Sequence, residues 1–190
     1  MSSRSRRDVF YTSDLHIGDA MVAAYRGYAD SAAHDQALGE TWLRQVGEND
    51  QVWILGDLSP VAELGLAWLA DLPGEKHLVA GNHDRVHPGR KNGYRQLRRY
   101  LEVFESVQPF ARHKIDGVTL LLSHFPYDDD RRPQPRNMQW RLPDRGEFLA
   151  HGHTHSKERL TSPREVHVGF DAWQRLVERA EVAYLLGISD

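Results

Sequence analysis

Gly81-Asn82-His83-Asp84 directly follows the apolar run Leu78-Val79-Ala80, so polar side chains of metal-binding type stand where a buried strand is expected to end. Four further clusters of this kind occur along the chain, each after a mainly apolar run. They are Asp14-Leu15-His16, Gly56-Asp57, Ser123-His124 and Gly152-His153-Thr154-His155. Ligands of α/β proteins gather beyond the carboxyl ends of the strands. The five clusters therefore predict a two-metal site in an α/β protein.

The composition excludes several kinds of site. Apolar residues make up 40% and charged residues 27% of the 190-residue chain, which is ordinary for one globular domain. Because the chain has no cysteine, a disulfide framework, a thiolate zinc site and a cysteine nucleophile are excluded. Any metal must be held by His, Asp, Asn or Glu. This donor set suits Mn²⁺, Fe or Zn, with Ni or Co as substitutes.

The N-terminus carries Arg4, Arg6 and Arg7 without the apolar core of a signal peptide, and no apolar run approaches the length of a membrane span. These features predict a cytoplasmic protein with no membrane segment. Residues 1–7 are predicted to form a flexible basic tail, and residues 8–190 a single domain. The formal net charge of −3 does not by itself favour nucleic-acid binding.

The strands are predicted from apolar runs that end at the clusters or at turn residues. Ile115-Asp116-Gly117, between two such runs, is typical of a hairpin. The expected strands cover residues 8–13, 51–55, 76–80, 107–114, 118–123, 147–150, 165–168 and 182–188. Residues two apart on an extended strand face the same side. Asp14 is therefore expected to converge with His16, and His153 with His155.

Two helices are predicted between the early strands. Apolar side chains at helical spacing indicate a helix over 31–46 that begins at an N-cap, Asp30 or Ser31, and stops before a glycine. Ser59-Pro60 is typical of an N-cap followed by proline at the first helical position, so a second helix is expected to run to about residue 72. This alternation of strands and helices favours α/β layering.

In their order and in their positions after apolar runs, the five clusters closely resemble those of the calcineurin-like metallophosphoesterase family, over about residues 8–188. The stretch His-Val-Gly-Phe-Asp-Ala-Trp at 167–173 is similar to the closing segment of a small bacterial and phage branch. The resemblance implies a four-layer α-β-β-α sandwich of two mixed β-sheets flanked by helices. It also implies a phosphoesterase in which a hydroxide bridging two divalent ions, with Mn²⁺ expected, attacks phosphorus.

Carried over residue by residue, the resemblance implies seven metal ligands, with Asp57 shared between the ions. One ion would be held by Asp14, His16, Asp57 and His155, and the other by Asp57, Asn82, His124 and His153. His83 would stabilise the transition state or protonate the leaving oxygen, and Asp84 would orient it. The branch commonly has His where this chain has Asp19, and Asn where it has His167. A substrate contact and hydrogen bonds near the site are therefore expected to differ at those two positions.

The other six histidines lack a ligand partner at suitable spacing and are assigned to surface or strand positions. They are His34, His77, His87, His113, His151 and His167. His151 stands two positions before His153, on the same side of an extended segment, so it is also a candidate for a hydrogen bond that orients a metal ligand.

Two segments are candidates for binding the rest of the substrate. Residues 85–99 carry six basic side chains and no acidic one, and residues 125–145 form a long proline- and arginine-rich segment. Both directly follow predicted ligands, so we expect them to flank the site. The expected contacts come from Arg95, Arg98 and Arg99 to phosphate and from Trp140 to a base. A solvated basic helix and an irregular loop are the equally weighted alternative.

The expected partner is a phosphate-ester substrate, most favourably a phosphodiester of nucleotide or nucleic-acid type. Hydrolysis of phosphomonoesters or dinucleotide polyphosphates would use the same metal core and stays open as an alternative. A non-catalytic metal-binding scaffold is the weaker alternative, because neither His83 nor any ligand position is lost. No pattern in the residues indicates an oligomeric state.

Overall fold

The computed structural model describes residues 7–127 and 136–188. It confirms the α/β class, with two mixed five-stranded sheets and helices. The strands are β1 Val9–Thr12, β2 Gln51–Ile54, β3 Glu75–Val79, β4 Ser106–Gln108, β5 Ala111–Ile115, β6 Val118–Leu122, β7 Phe148–His151, β8 Leu160–Ser162, β9 Glu165–His167 and β10 Val177–Glu178. The helices are α1 Ala20–Tyr25, α2 Ser31–Gln45, α3 Ala62–Ala70, α4 Leu97–Tyr100, α5 Phe170–Trp173 and α6 Arg179–Leu185, with 3-10 turns at Gly93–Gln96 and Met138–Trp140. Most of the predicted tail lies outside the described residues.

The first sheet has the order β10-β1-β2-β3-β4, in which β1 to β4 run parallel and β10 is antiparallel to β1. The second has the order β5-β6-β7-β9-β8, with β6, β7 and β9 parallel and an antiparallel strand at each edge. Beyond the strands, the Phe170 amide donates to the Ser13 carbonyl oxygen at 3.1 Å. This bond joins the end of β1 to the segment after β9, so the carboxyl ends of the two sheets meet.

Alternation along the early strands divides the core into two clusters. Phe10, Val52 and Leu78 face one way and pack with apolar side chains of α2 and α3. Their neighbours Tyr11 and Val79 face the other way and pack with side chains of the second sheet. Because strand side chains alternate between faces, the first sheet is buried on both sides. That burial explains why its strands read as nearly continuous apolar runs.

The helix over 31–46 is confirmed, and the start of the next helix is corrected. Asp30 is the N-cap of α2, where its Oδ1 accepts from the Ala33 amide at 2.8 Å. The following helix does not begin at Ser59-Pro60 but at Ala62, after a cap residue with no side-chain cap bond. Ser59 is instead buried, and its hydroxyl donates to the Ile17 carbonyl oxygen at 2.7 Å. The Ser59 hydroxyl therefore bonds to a residue distant in sequence and does not cap the helix as the N-cap pattern predicts.

Two of the predicted strands in the second half of the chain, residues 107–114 and 182–188, are wrong. Residues 107–114 do not form one strand, because β4 ends in the first sheet and β5 begins in the second. The predicted hairpin does form between β5 and β6, with Asp116 and Gly117 at φ values of 48° and 85°, as a tight two-residue turn requires.

Residues 182–188 are mainly helical rather than extended. A capping box between Glu178 and Glu181 starts α6, and Val182 and Ala183 bury its inner face in the core. No helix in the described part of the chain is long and apolar enough to cross a bilayer.

Candidate metal centre

The polar clusters meet where the two sheets join. Asp14 and His16 follow β1, Asp57 follows β2, Asn82 follows β3, and the remaining clusters follow β6 and β7. Backbone bonds continue past the strand ends, since the Asp14 amide donates to the Gly56 carbonyl oxygen and the His16 amide to that of Asp57, each at 3.0 Å. The loops that carry the ligand-type residues are therefore held to one another and not free.

The backbone at these residues is left-handed, which corrects the expectation that the paired residues lie on extended strands. Five of the seven predicted ligands have positive φ, between 51° and 70°: Asp14, His16, Asp57, His153 and His155. Few non-glycine residues adopt this conformation, and Asn, Asp and His do so most readily. Asp and His thus tolerate the left-handed backbone conformation and also provide metal-ligand atoms. Side-chain convergence comes from these turns rather than from strand alternation.

The side chains form two groups of potential metal ligands. Donor atoms of Asp14, His16 and His155 all lie within 4.8 Å of one another, and so do those of Asp57, His124 and His153. Asp57 lies between the groups, because its Oδ2 is 3.9 Å from His16 Nε2 and 3.3 Å from His124 Nε2. A carboxylate in that position can serve two ions with its two oxygens.

Asn82 and His124 complete the second group. His124 Nδ1 donates to the Leu55 carbonyl oxygen at 2.7 Å, which fixes the tautomer and leaves Nε2 as the donor atom facing Asp57. The same Nε2 lies 3.2 Å from Asn82 Oδ1. An imidazole nitrogen, an amide oxygen and a carboxylate thus point at one small volume.

The donor set fits divalent cations on physical grounds. Asp14 and Asp57 are both buried, and two buried carboxylates so close together require compensating positive charge. In addition, His16 is buried with no hydrogen-bond partner at either ring nitrogen. A buried imidazole with a free lone pair is costly unless a cation takes it. Cations bound at the two groups would relieve both features.

The neighbouring charges also shift the protonation of the cluster. Burial alone would raise the pKa of Asp14, but His124 and His155 beside it hold that pKa below its usual value. Asp57 likewise has a lowered pKa despite its burial, chiefly because of His124. For His124, burial opposes the charged form, yet the Asp57 carboxylate raises its pKa to about 9. The carboxylates are therefore ionised and ready to bind cations.

Two glycines allow the clusters to approach each other. A Cβ added at Gly81 would lie 2.3 Å from Asp57 Oδ1, and one added at Gly152 would lie 1.9 Å from Ser13 Oγ and 2.5 Å from Asp14 Oδ2. Neither space can hold a methyl group. These glycines are required so that the loops after β3 and β7 can pass directly against the two carboxylates.

Comparison with known proteins decides the family. The model of the calcineurin-like phosphoesterase superfamily domain matches residues 8–169. The chain belongs to this superfamily. The resemblance carried by the five clusters is thereby confirmed, and the family hydrolyses phosphoesters.

Similar proteins occur in mycobacteriophages. The Gene 66 protein of Mycobacterium phage D29 is 47% identical over 187 residues, covering 92% of this chain and 94% of the phage protein. The Gene 66 protein of Mycobacterium phage L5 is 43% identical over 190 residues, covering 92% of each. Among solved structures, a protein of unknown function from Aquifex aeolicus, AQ665, is similar in fold with a TM-score of 0.70 at 20% identity, covering 95% of this chain and 100% of that one.

In this phosphoesterase, an ion pair that the sequence interpretation missed holds His155. Its Nδ1 donates to Asp171 Oδ2 at 2.9 Å, and Asp171 in turn accepts from Arg26 Nε at 2.9 Å and Nη2 at 2.7 Å. Arg26 Nη2 also donates to the Asp14 carbonyl oxygen at 2.7 Å. One buried ion pair therefore fixes a ligand-type histidine and the backbone of a ligand-type aspartate. Asp171 stands in the 167–173 stretch that carries the family resemblance, which was the available signal.

The Asp84 carboxylate, which was expected to orient His83, bonds instead to backbone amides. It accepts hydrogen bonds from the amides of Gly81, Asp57 and Leu58 at 2.7, 3.0 and 3.1 Å. Within the described residues, no hydrogen bond joins Asp84 to His83. Burial and the nearby Asp57 charge raise the pKa of Asp84 to about 7. Asp84 thus ties the loop after β3 to the loop after β2.

His83 itself lies at the surface of the cluster. Its side chain is 47% exposed, its Nε2 is 4.0 Å from Asp57 Oδ2, and its amide donates to Asp57 Oδ1 at 2.8 Å. Its ring also contacts the His16 ring, with centroids 5.4 Å apart. The backbone bond places His83 beside the shared carboxylate while leaving its ring accessible.

A cavity of about 590 Å³ opens over the two groups, and Trp140 forms part of its wall with Asp57, Asn82 and His83. Arg95, Arg98 and Arg99 are not among its lining residues. Arg99 instead forms an ion pair with Glu63, and Arg95 stacks on the Tyr94 ring. Their expected role with the substrate stays a prediction. Residues 128–135 of the predicted overhanging segment lie outside the described residues, and residues 136–140 reach the cavity.

The six unassigned histidines are less peripheral than expected. His34 and His87 are buried, although one lies in a helix and the other in a loop, so a surface role is wrong for both. His151 is buried in β7 and bonds to the Gly152 carbonyl oxygen and the Thr161 hydroxyl, not to a ligand side chain. His167 is buried in β9 with no partner at either nitrogen.

His77 and His113 lie on strands and pack against Trp53, as a strand role predicts. His77 stacks on the indole with centroids 4.3 Å apart, and the His113 ring meets it edge-on at 4.6 Å. Asp19 caps α1, and its Oδ2 lies 3.5 Å from His16 Nδ1. The Asp19 carboxylate therefore lies beside the ring of a predicted metal ligand.

Proposed function

We propose that this phosphoesterase hydrolyses phosphodiesters of nucleotide or nucleic-acid type at a centre of two divalent ions, with Mn²⁺ as the working ion. The observation that carries the proposal is the pair of donor groups on either side of Asp57, at the base of an open cavity. A volume of about 590 Å³ is typical of a pocket that binds a whole small molecule. This volume supports a diester, which has a group on each side of its phosphate.

Seven residues would hold the ions, four to each, with Asp57 shared. The first set is Asp14, His16, Asp57 and His155, and the second is Asp57, Asn82, His124 and His153. Two divalent ions supply an activated water at neutral pH and neutralise charge on the phosphate oxygens. Nitrogen and oxygen donors without thiolate support Mn²⁺.

His83 would act on the leaving group. Its amide bond to Asp57 keeps it at the cavity floor, and its exposed ring can reach a phosphate ester oxygen there. An imidazolium in that position can donate its proton to the departing alkoxide and afterwards recover it from water. Retention of His83 beside a complete donor set supports an enzyme over a scaffold that only binds metal.

Activity assays on metal-depleted protein resupplied with Mn²⁺ test the proposal. We expect faster hydrolysis of bis(para-nitrophenyl) phosphate than of para-nitrophenyl phosphate, because the cavity accommodates both ester groups. Asp57→Asn should abolish activity and lower the bound metal, since it weakens the shared ligand. Asp116→Asn is the matched control: Asp116 also has positive φ, 48° against 56° for Asp57, but lies exposed in the hairpin turn.

Two results would overturn the proposal. One is no diester hydrolysis with any of Mn²⁺, Fe²⁺, Zn²⁺, Ni²⁺ or Co²⁺. The other is a monoester preference that persists across all of these metals.

A further inference from the structure

We infer that the cavity wall beyond the metal ligands is a subsite for a second phosphate group of the substrate, formed by Arg90, Arg136 and His87 beside Trp140. The inference rests on the proposed function, because it extends the substrate outward from the scissile phosphate. All four residues line the same cavity as Asp57 and His83. None of the four belongs to either donor group.

The charges of this wall match an anion. Among residues 7–127 and 136–188, Asp57 is the one acidic residue that lines the cavity, and no carboxylate pairs with Arg90 or Arg136. Other arginines of the chain do have carboxylate partners, among them Arg26 with Asp171 and Arg175 with Glu181. Two exposed guanidinium groups, with no counter-charge among the residues that the structure describes, therefore face a shared volume. Arginine binds phosphate through paired, charge-assisted hydrogen bonds.

His87 adds a neutral donor to the wall. The Gly89 amide donates to His87 Nδ1 at 3.0 Å, so Nδ1 must carry its lone pair and the proton resides on Nε2. Burial lowers the pKa of His87 to about 4, in agreement with a neutral ring. Nε2 has no hydrogen-bond partner among the described residues. An N–H group at a cavity wall that has no partner in the described part of the chain is available to a phosphate oxygen.

The wall is held in place before any ligand arrives. A Cβ added at Gly89 would lie 3.0 Å from Trp140 Cζ2, so the indole packs directly on the glycine backbone. The His87 ring meets Trp140 edge-on, with centroids 5.1 Å apart. Next to it, Arg141 Nη1 donates to the Pro126 carbonyl oxygen at 3.0 Å. Binding to a fixed wall loses less conformational entropy than binding to a mobile one.

The scissile phosphate does not need these groups. Two divalent ions, held by the proposed ligands, would already neutralise the charge of the scissile phosphate, whereas a substrate with one phosphate would leave both arginines unmatched. The favoured substrates are therefore diesters that carry a further phosphate. An oligonucleotide end is one such substrate, and its sugar or base can pack on Trp140.

The kinetic test compares a thymidine dinucleotide with the same molecule phosphorylated at its 5′ or its 3′ end. In the wild type, we expect at least one phosphorylated form to have a KM lower by ~10-fold or more, the size of one charge-assisted hydrogen bond. Arg90→Gln combined with Arg136→Gln should bring that KM ratio close to unity. Arg44→Gln with Arg112→Gln removes the same charge from exposed positions outside the cavity and should keep the ratio.

A binding measurement separates this inference from the proposed function. Calorimetric titration of metal-depleted protein with deoxythymidine 3′,5′-bisphosphate needs no catalysis. We expect ~10-fold weaker binding for the Arg90 and Arg136 double variant than for wild type and the Arg44 and Arg112 control. Equal binding by all three proteins, or a wild-type KM indifferent to the added phosphate, would overturn the subsite. Absence of diester hydrolysis with intact bisphosphate binding would instead overturn the proposed function.

Discussion

Replacing Asp171 with Asn should damage both the fold and the metal centre, because this side chain connects Arg26 to His155. The pair is almost fully removed from water, with side-chain exposures of 6% for Arg26 and 3% for Asp171. Asparagine keeps the size of the side chain but removes the charge and one acceptor oxygen. The Arg26 guanidinium would then remain buried without its counter-charge.

The expected loss is set by burial rather than by the number of bonds. Removing one partner of a buried ion pair costs about 3–5 kcal/mol of the free energy of unfolding. The pair between Arg175 and Glu181 has similar geometry, with distances of 2.7 and 2.6 Å, but both of its side chains are about one-third exposed. Glu181→Gln is therefore the matched control, and it should cost ~1 kcal/mol or less.

Chemical denaturation of the metal-depleted proteins measures these costs without any contribution from ions. Titration of the folded proteins with Mn²⁺ then isolates the effect on the ligand, since loss of the partner that orients a metal-binding histidine lowers affinity by ~10- to 100-fold. Equal destabilisation by Asp171→Asn and Glu181→Gln, or an unchanged Mn²⁺ affinity for Asp171→Asn, would refute the reasoning.

Three further predictions use other features of the structure. His83→Ala should lower kcat by ~10²- to 10⁴-fold while elemental analysis finds the wild-type metal content, because the role proposed for His83 is proton donation and not metal binding. Gly39→Ala should raise the unfolding free energy by ~0.5–1 kcal/mol, since a Cβ there meets nothing closer than 3.8 Å, whereas Gly65→Ala should lower it because its Cβ would lie 2.6 Å from Ser59 Cβ. In the metal-depleted protein, the pKa of His124 is raised from 6.5 to about 9, so its contribution to stability is complete below pH 6.5 and is lost as pH rises to 9. Denaturation at both pH values should show this loss in wild type and not in His124→Gln.

The early strands and the cluster positions were predictable from sequence because they depend on short-range order. The apolar runs that become β1, β2 and β3 are bounded by the clusters themselves, so both the elements and their ends can be read. The five clusters also identify the family without any knowledge of their contacts.

Features that depend on distant partners could not be predicted. Arg26 and Asp171 lie 145 residues apart, and neither has a local pattern that indicates an ion pair. Ser59 matches the N-cap pattern of a helix start, but its hydroxyl donates to the carbonyl oxygen of Ile17, 42 residues away. Residues 182–188 have enough apolar character for a strand, and a capping box together with burial of one face makes them helical instead.

The left-handed backbone of the ligand-type residues limits how the centre can change over evolutionary time. At Asp14, His16, Asp57, His153 and His155, a β-branched replacement would be strained by the main chain alone, whether or not an ion is required. The residues that tolerate this geometry are chiefly Gly, Asn, Asp and His, and the last three can still bind metal. A descendant that abandoned catalysis would therefore acquire glycine or asparagine at these positions more readily than valine or isoleucine. Its sequence would preserve the outline of a lost metal centre.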